Sequence, residues 1–585
     1  MRDCILILEP ISTGENYVFD AANRGFQPVV IFPKLEGTGD NTEIYEKIRA
    51  EAAAHFPKET IYLTDTGDYP ALLAKIRRYP MVCVVIGSEL GAELGDKIAS
   101  DLGLPGNPPE SSVLHRDKNR MQERLRERNL PHIRGKLITS VEEAEAFLRE
   151  EQLDNAVVKP KNGAGSVGVH LCHGREEILD TVKMGLSGED MFGNESDSLL
   201  LQELLVGTEY IVNTISRDGE HYISDIWRYD KIPVGNGRDG NAYNYARLVT
   251  HPNAREYELC LYALKVVDAL DITYGPTHGE YMLTANGPVL IEAGARPIGA
   301  GLSKSYMEQY LGHQITDRVL DAYLDADLFK QQLELPYQPL TEAMIKVMIM
   351  GKDTDFDNIP LLSILRNLDS VVTSDLHSVL PMNKLVRTVD LETACAMIYM
   401  CHEDSRVLEW DYRILHNLEM QMPDMMFNNT EPVEKPFNKE EMEKSFHGIS
   451  NTDETLIFCA DSTGLENAVT MDTVFQITND YDRIFLWLNG IACNVEEKLS
   501  AVSALLKHLK EGGTVIIPES SSEEFPYGRM GIIAVLEANH IIVRVPNGNT
   551  GDYIMGEKKS RNRESTMRGY KKNHNYHSFT DAYCH

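Results

Sequence analysis

Two glutamates, Glu280 and Glu292, lie at equal distances on either side of Asn286 in the stretch Thr277 to Gly301, THGEYMLTANGPVLIEAGARPIGAG. Carboxylates set side by side repel unless a cation stands between them. Magnesium suits such a pair, since it takes one or two carboxylates and completes its octahedron with water and phosphate oxygens. The apolar runs Tyr281-Met282-Leu283 and Val289-Leu290-Ile291 around Ala285-Asn286-Gly287 read as a β-hairpin. A loop with an odd number of residues, such as Ala285 to Gly287 with a bulge, sets the glutamates opposite each other. A two-residue Asn286-Gly287 turn would point them to opposite faces. Period-two alternation adds His278 and Arg296 to the face of the glutamates. The competing reading is a solvated hairpin with scattered charges.

A second group precedes the hairpin. Ala156-Val157-Val158-Lys159-Pro160 is an apolar strand ending in a lysine, followed by a Gly/Ser-rich loop with Gly163, Gly165, Ser166 and Gly168. A lysine on a rigid strand is a fixed cation, and such a loop lets backbone N–H groups approach phosphate oxygens. The Gly-Lys-Ser ending of a Walker A loop is missing, and a plain hairpin loop is the alternative. Lys118 opens a basic helix. Leu199 to Leu205 is a buried strand leading into Gly207 to Val212, with Glu209 near its start. In this order the chain supplies cations, a phosphate loop, an apolar linker for a purine, an acid for ribose hydroxyls and a pair of metal carboxylates.

These elements resemble the ATP-grasp superfamily over roughly residues 1 to 430. The resemblance implies that Lys118 and Lys159 bind nucleotide, that the 163–168 loop covers the phosphates, that the linker at Glu203 and Leu205 holds adenine through its backbone, and that Glu209 holds ribose. Glu280 and Glu292 match the magnesium carboxylates. Within the superfamily the chain is similar to the L-amino-acid ligases of the bacilysin-synthetase type, which also carry Thr-His-x-Glu before the hairpin and Glu-x-x-x-Arg after it. Gly294 stands where many members have Asn, so one or two magnesium ions are implied, with manganese as a substitute. Ala300, beside Gly299, stands where the bacilysin-type enzyme has tryptophan, which leaves room for a larger first substrate.

The implied chemistry is an ATP-dependent carboxylate–amine ligation through an acyl phosphate, with release of ADP and phosphate. Lys118 and Lys159 neutralise the transferring phosphoryl group. Arg296 stabilises the tetrahedral oxyanion, binds a substrate carboxylate or pairs with Glu292. His278 assists proton removal from the amine or is a structural residue. Trp227 to Arg247, with Lys231, reads as a loop that orders over substrate, or as a long exposed loop. The substrates expected are a small carboxylate and an amine, amino acids foremost. Competing readings are a ligase for a non-amino-acid carboxylate, a nucleotide-binding regulatory protein without catalysis, and a bifunctional ligase–methyltransferase.

The elements that must position these groups are α/β and α+β. At 585 residues the chain is too long for one core. Residues 1–110 alternate strands (Cys4 to Leu8, Pro28 to Phe32, Thr60 to Leu63, Met81 to Ile86) with helices, which predicts a Rossmann-like parallel layer before the grasp. Gly87-Ser88-Glu89-Leu90 follows its last strand, where a ligand meets the carboxyl end of a sheet. Residues 111–200 are expected to form the small grasp subdomain and 201–330 the catalytic core. A β-rich subdomain with a helix over Leu391 to Cys401 is expected at 331–430, and a linker at 431–449. A second Rossmann-like unit, methyltransferase-like and non-catalytic because Ala460-Asp461-Ser462-Thr463-Gly464 lacks the glycines for adenosyl methionine, spans 450–557. A basic, disordered tail covers 558–585. A net charge of −32 argues against nucleic acid as a partner. No apolar run approaches the ~20 residues of a membrane helix. Nine cysteines scattered singly suggest reduced thiols and a cytoplasmic protein. A homo-oligomer is compatible with this composition.

Overall fold

The computed structural model describes residues 2–35, 40–160, 168–186, 198–233, 241–356, 359–376, 384–391, 393–421, 423, 426–427, 442, 455–461, 468–488, 491, 501–502, 504–518, 536, 541–544 and 553–558. The chain divides into two compact units: residues 1–349, 372–378 and 388–408 form the first, and the remainder forms the second.

The first unit opens with strands β1 (Cys4–Leu8), β2 (Gln27–Ile31), β3 (Ile61–Tyr62) and β4 (Met81–Ile86) in the order β3-β2-β1-β4, each pair parallel. All five β1 residues are buried, as expected of a parallel strand covered on both faces. Four antiparallel strands follow: β5 (Gly135–Ile138), β6 (Asn155–Pro160), β7 (His170–His173) and β8 (Leu199–Glu203), ordered β5-β8-β6-β7. Helices Val141–Glu150 and Arg175–Gly185 bury Ala144, Phe147, Ile178 and Val182 against them.

The largest sheet contains β9 (Gly207–Arg217), β10 (Glu220–Pro233), β11 (Asn241–Leu248), β12 (Gly275–Thr284), β13 (Gly287–Gly294) and β14 (Glu342–Met348). After the short β15 (Thr354–Asp355), β16 (Val371–Asp375) joins it. Then comes β17 (Lys384–Leu385), which pairs with β15, and β18 (Ala396–His402) completes the eight-stranded order β13-β12-β9-β10-β11-β14-β18-β16. Helix Ala254–Ala269, opened by a capping box between Asn253 and Glu256, packs Leu259, Ala263, Val266 and Val267 beneath Tyr281, Leu290 and Ala293 of the hairpin.

The structure departs from the expectations at several elements. Of the stretch Trp227 to Arg247, expected as a loop, residues 227–233 belong to β10 and 241–247 to β11, because Trp227, Tyr229 and Lys231 alternate with polar residues as strand positions do. The helix expected over Leu391 to Cys401 is strand β18, and helix Ser405–Gln421 comes after it. Within 331–430, β14, β16 and β18 extend the large sheet, while residues 350–371, 379–387 and 409–430 fall in the second unit. Two helices, Lys304–Leu311 and Ile315–Leu324, follow the hairpin, separated at Gly312, whose φ of +76° favours glycine.

The second unit contains β19 (Thr455–Phe458), β20 (Ala468–Val469), β21 (Tyr481–Leu486), β22 (Leu509–Pro518), β23 (Ile541–Arg544) and β24 (Tyr553–Lys558), in the order β20-β19-β21-β22-β24-β23. The first four are parallel, and β24 runs antiparallel to both neighbours. Val474–Gln476 is a 3-10 turn. The linker and tail lie almost wholly outside the described residues. Among the described residues no helix is long and apolar enough to cross a membrane, and the cysteines are buried thiols.

Candidate functional site

The hairpin that carries the two glutamates closes on Ala285-Asn286, since Thr284 pairs with Gly287. The Thr284 hydroxyl accepts from Asn286 N–H at 3.1 Å and donates to the Gly287 carbonyl at 2.9 Å. Gly287 has φ +121°, a conformation that favours glycine. This even loop alone would set Ile291 opposite Glu280. One residue is gained by a bulge between the Tyr281–Leu290 and Glu280–Glu292 pairs, and the two glutamates therefore face each other across the ladder. The opposition is the expected one, but a bulge in β13 achieves it in place of an odd loop.

Two lysines converge on this pair from separate elements. Lys118 is the first residue of helix Lys118–Glu127, whose N-cap Asp117 accepts from the backbone of Asn119 and Arg120. Gln122 of that helix donates to the Leu290 carbonyl at 3.0 Å, which ties the helix to the hairpin. Lys118 Nζ lies 2.6 Å from Glu292 Oε2. Burial works against its charge, but Glu292 and then Glu89 and Glu280 outweigh it, so its pKa stands above the ordinary lysine value. Lys159, on β6, is 7% exposed. Burial and then the charge of Lys118 pull its pKa down to about 8, against Glu292, Glu280 and Glu209.

Glu280 lies 3.4 Å from His278 Nε2. Burial pushes its carboxyl up, but the hydrogen bond and charge of His278, with Lys231 and Arg296, hold it at about 2. Glu209, near the start of β9, pairs with Lys231 of β10 at 2.7 Å. Lys231 Nζ sits 4.3 Å from the Tyr243 ring centre and 5.3 Å from that of Tyr229, within cation–π range. Burial raises the Glu209 pKa even beside this lysine. Lys231, expected at a substrate, is thus the counter-ion of the expected ribose acid.

Glu203 closes β8, where its side chain takes two hydrogen bonds from the Arg134 guanidinium, at 2.9 and 2.7 Å, and a third from Arg134 N–H. Its own N–H donates to the Arg134 carbonyl. Leu205 lies in the 204–206 connection to β9. Gly168 ends the expected phosphate loop with φ +69°, and a Cβ there would come within 2.9 Å of Pro160 Cγ. Gly163, Gly165 and Ser166 lie outside the described residues.

Arg296 Nη2 lies 3.6 Å from Glu89 Oε1, in the turn after β4. Sequence reasoning marked that turn by its place at the carboxyl end of a strand without giving Glu89 a task. Beyond Arg296 the chain is clasped by the turn after β1. Thr13 Oγ1 donates to the Gly299 carbonyl and accepts from Leu302 N–H, both at 2.9 Å, and Ser12 Oγ accepts from Gly301 N–H at 2.8 Å. Ala300, at φ +65°, has its carbonyl held by the Tyr399 hydroxyl.

The arrangement gathers Lys118, Lys159, Glu209, Lys231, Glu280 and Glu292, with Arg296 and Glu89 adjoining. The opposed carboxylates are hard oxygen donors, with Lys118 at Glu292 and His278 Nε2 at Glu280, which fits a divalent ion such as magnesium. Among the described residues no three or more His, Cys, Asp or Glu side chains are placed to hold one metal ion together. Any such ion therefore takes much of its shell from water and substrate oxygens, as magnesium does.

Residues 116–297 match the family model of the phosphoribosylglycinamide synthetase ATP-grasp (A) domain. Dapdiamide A synthase from Enterobacter agglomerans is 30% identical over 273 residues, covering 46% of this chain and 63% of that protein. The chain thus spans less than two thirds of this relative. Among solved structures, an L-amino acid ligase from Bacillus licheniformis superposes with a TM-score of 0.54 at 18% identity, over 71% of this chain and 97% of that one. N5-carboxyaminoimidazole synthase from Aspergillus clavatus, solved with ADP and a ribonucleotide, gives 0.51 at 14% identity, over 71% and 98%. At these identities the likeness is one of fold.

Proposed function

We propose that this chain, which carries the ATP-grasp fold, is an ATP-dependent carboxylate–amine ligase that joins amino acids or close analogues through an acyl phosphate. The observation that carries the reading is the register-opposed Glu280 and Glu292, met by Lys118 and Lys159 from separate elements. Magnesium held by the two glutamates supplies charge neutralisation for ATP phosphate oxygens. Lys118 exchanges Glu292 for a phosphate oxygen, and Lys159 regains its full charge beside the phosphates. The 163–168 loop covers the phosphates, the linker at Glu203 and Leu205 receives adenine, and Glu209 receives the ribose hydroxyls.

In the reaction a substrate carboxylate oxygen attacks the γ-phosphorus, and ADP leaves. The amine then attacks the acyl carbon, phosphate leaves and an amide remains. Arg296 lies beside Glu280 and next to Glu89, where a guanidinium stabilises the oxyanion of the second step, a contribution of about 3 kcal/mol for one donor. Arg296 and Glu89 present opposite charges side by side, as recognition of a zwitterionic amino acid requires. The names of two relatives, an L-amino acid ligase and a dapdiamide synthase, support substrates of this class. Gly299 and Ala300 are assigned to the organic-substrate end.

The test is ADP and phosphate release with ATP, magnesium and a matrix of paired amino acids and small carboxylic acids, with Glu292→Gln as blank and products read by mass. Release that requires a matched pair and yields an amide supports the ligase. Tight ATP binding without stimulation by any pair points instead to a nucleotide-binding regulator.

A further inference from the structure

A row of buried polar side chains runs across three neighbouring strands on the face that carries the two glutamates. His278 of β12 is in register with Asn213 of β9, and Asn213 with Asp225 of β10. His278 is 6% exposed, Asn213 4%, and Asp225 and Trp227 are fully buried. Trp227 Nε1 donates to Asp225 Oδ1 at 2.6 Å, and Asn213 Nδ2 donates to the same oxygen at 2.5 Å. His278 Nδ1 lies 2.8 Å from Asn213 Oδ1, and His278 Nε2 lies 3.4 Å from Glu280 Oε1.

The direction of this chain follows from its far end. An indole N–H only donates, so Asp225 Oδ1 accepts. The Asn213 group facing that oxygen is then its amide nitrogen, which leaves its carbonyl toward the imidazole, and His278 Nδ1 donates to it. The ring is thereby pinned in one plane, with Nε2 aimed at the Glu280 carboxylate. A polar row is costly to bury inside a sheet, and this one terminates on a carboxylate of the proposed metal pair.

We infer that Asn213, Asp225 and Trp227 are positioning residues which, through His278, orient Glu280 as a metal ligand. The assignment rests on the reading of Glu280 and Glu292 as that pair. Of the two tasks weighed from sequence, this gives His278 the structural one in place of proton removal from the amine, since its Nδ1 is tied to Asn213 and its Nε2 faces Glu280.

The test is uptake of Mn2+ by the full-length chain with a non-hydrolysable ATP analogue, read from the free-ion EPR signal. Metal-free ADP binding is measured in parallel by calorimetry. Asn213→Leu is expected to weaken Mn2+ about 10- to 100-fold, the usual effect of losing the partner that orients a metal ligand, while metal-free ADP binds as in the wild type. Trp227→Phe, acting from the other end, is expected to weaken Mn2+ in the same direction. Glu280→Gln marks the loss of the ligand itself. Equal Mn2+ affinity in wild type and Asn213→Leu, or a parallel loss of ADP binding in both row variants, overturns the inference. A wild type that takes up no Mn2+ overturns the metal reading of the pair, and the inference falls with it.

Discussion

Lys159 sits on β6 with Lys118 as a neighbouring cation, and burial together with that charge holds its pKa at about 8. An unfolded lysine titrates near 10.4, so between roughly pH 8 and 10 the folded chain binds fewer protons than the unfolded one. The stability contributed here is therefore lowest below pH 8 and increases as pH rises through that window. Bound phosphates reverse the shift. Nucleotide binding at pH 8.5 is expected to take up a fraction of a proton, seen in calorimetry as a dependence of the heat on buffer ionisation enthalpy. Lys159→Met should abolish that dependence, and persistence of it would assign the proton elsewhere. Lys118→Ala removes a charge-assisted contact of about 1.5–3 kcal/mol, so ATP affinity should fall about 10- to 100-fold in fluorescence titration. An unchanged affinity would remove Lys118 from the phosphate site. The glutamates and lysines were legible because side-chain type and spacing carry their chemistry. Asn213 and Asp225 were not, because they join the site only through strand pairing that no local spacing records.

At the scale of elements, the hairpin was visible in its apolar runs, but the bulge at Ile291 was not, since an isoleucine reads the same inside and outside a ladder. Trp227 to Pro233 carried a period-two pattern, yet its glycine-rich continuation drew the reading toward a loop. Ala396 to His402 is apolar nearly throughout, and such a run does not separate strand from helix. The clasp between Ser12-Thr13 and Gly299 to Leu302 was likewise hidden, since it joins distant segments through backbone groups. Thr13→Val keeps the shape of the side chain and removes both of its hydrogen bonds to that loop. It is expected to raise KM for one organic substrate about 30-fold, at about 1 kcal/mol for each of the two bonds lost, with KM for ATP unchanged. A rise in the ATP constant alone would place the clasped loop at the nucleotide.

For the whole molecule, the alternating pattern of β and α segments made the two α/β units readable, including the parallel N-terminal sheet in its observed strands. The partition of residues 350–410 between the units was beyond local pattern, because strands join whichever sheet offers an edge. The second unit has a parallel run closed by an antiparallel strand, and its first strand leads into Cys459-Ala460-Asp461 without a glycine among them. We assign it an accessory role. Titration of the full-length chain with S-adenosyl methionine should give no saturable heat, and a saturable isotherm would make the second unit a cofactor-binding domain. The net charge of −32 predicts that added DNA leaves sedimentation of the chain unchanged at physiological salt.

The central claim is that a substrate carboxylate takes the γ-phosphoryl group of ATP. It is tested most directly by incubating the chain with ATP, magnesium and a mixture of amino acids labelled with 18O in their carboxyl groups, and weighing the phosphate released. Transfer of one 18O into phosphate, absent with Glu292→Gln, is the predicted result. Phosphate released without label, or release of AMP and pyrophosphate, would contradict it.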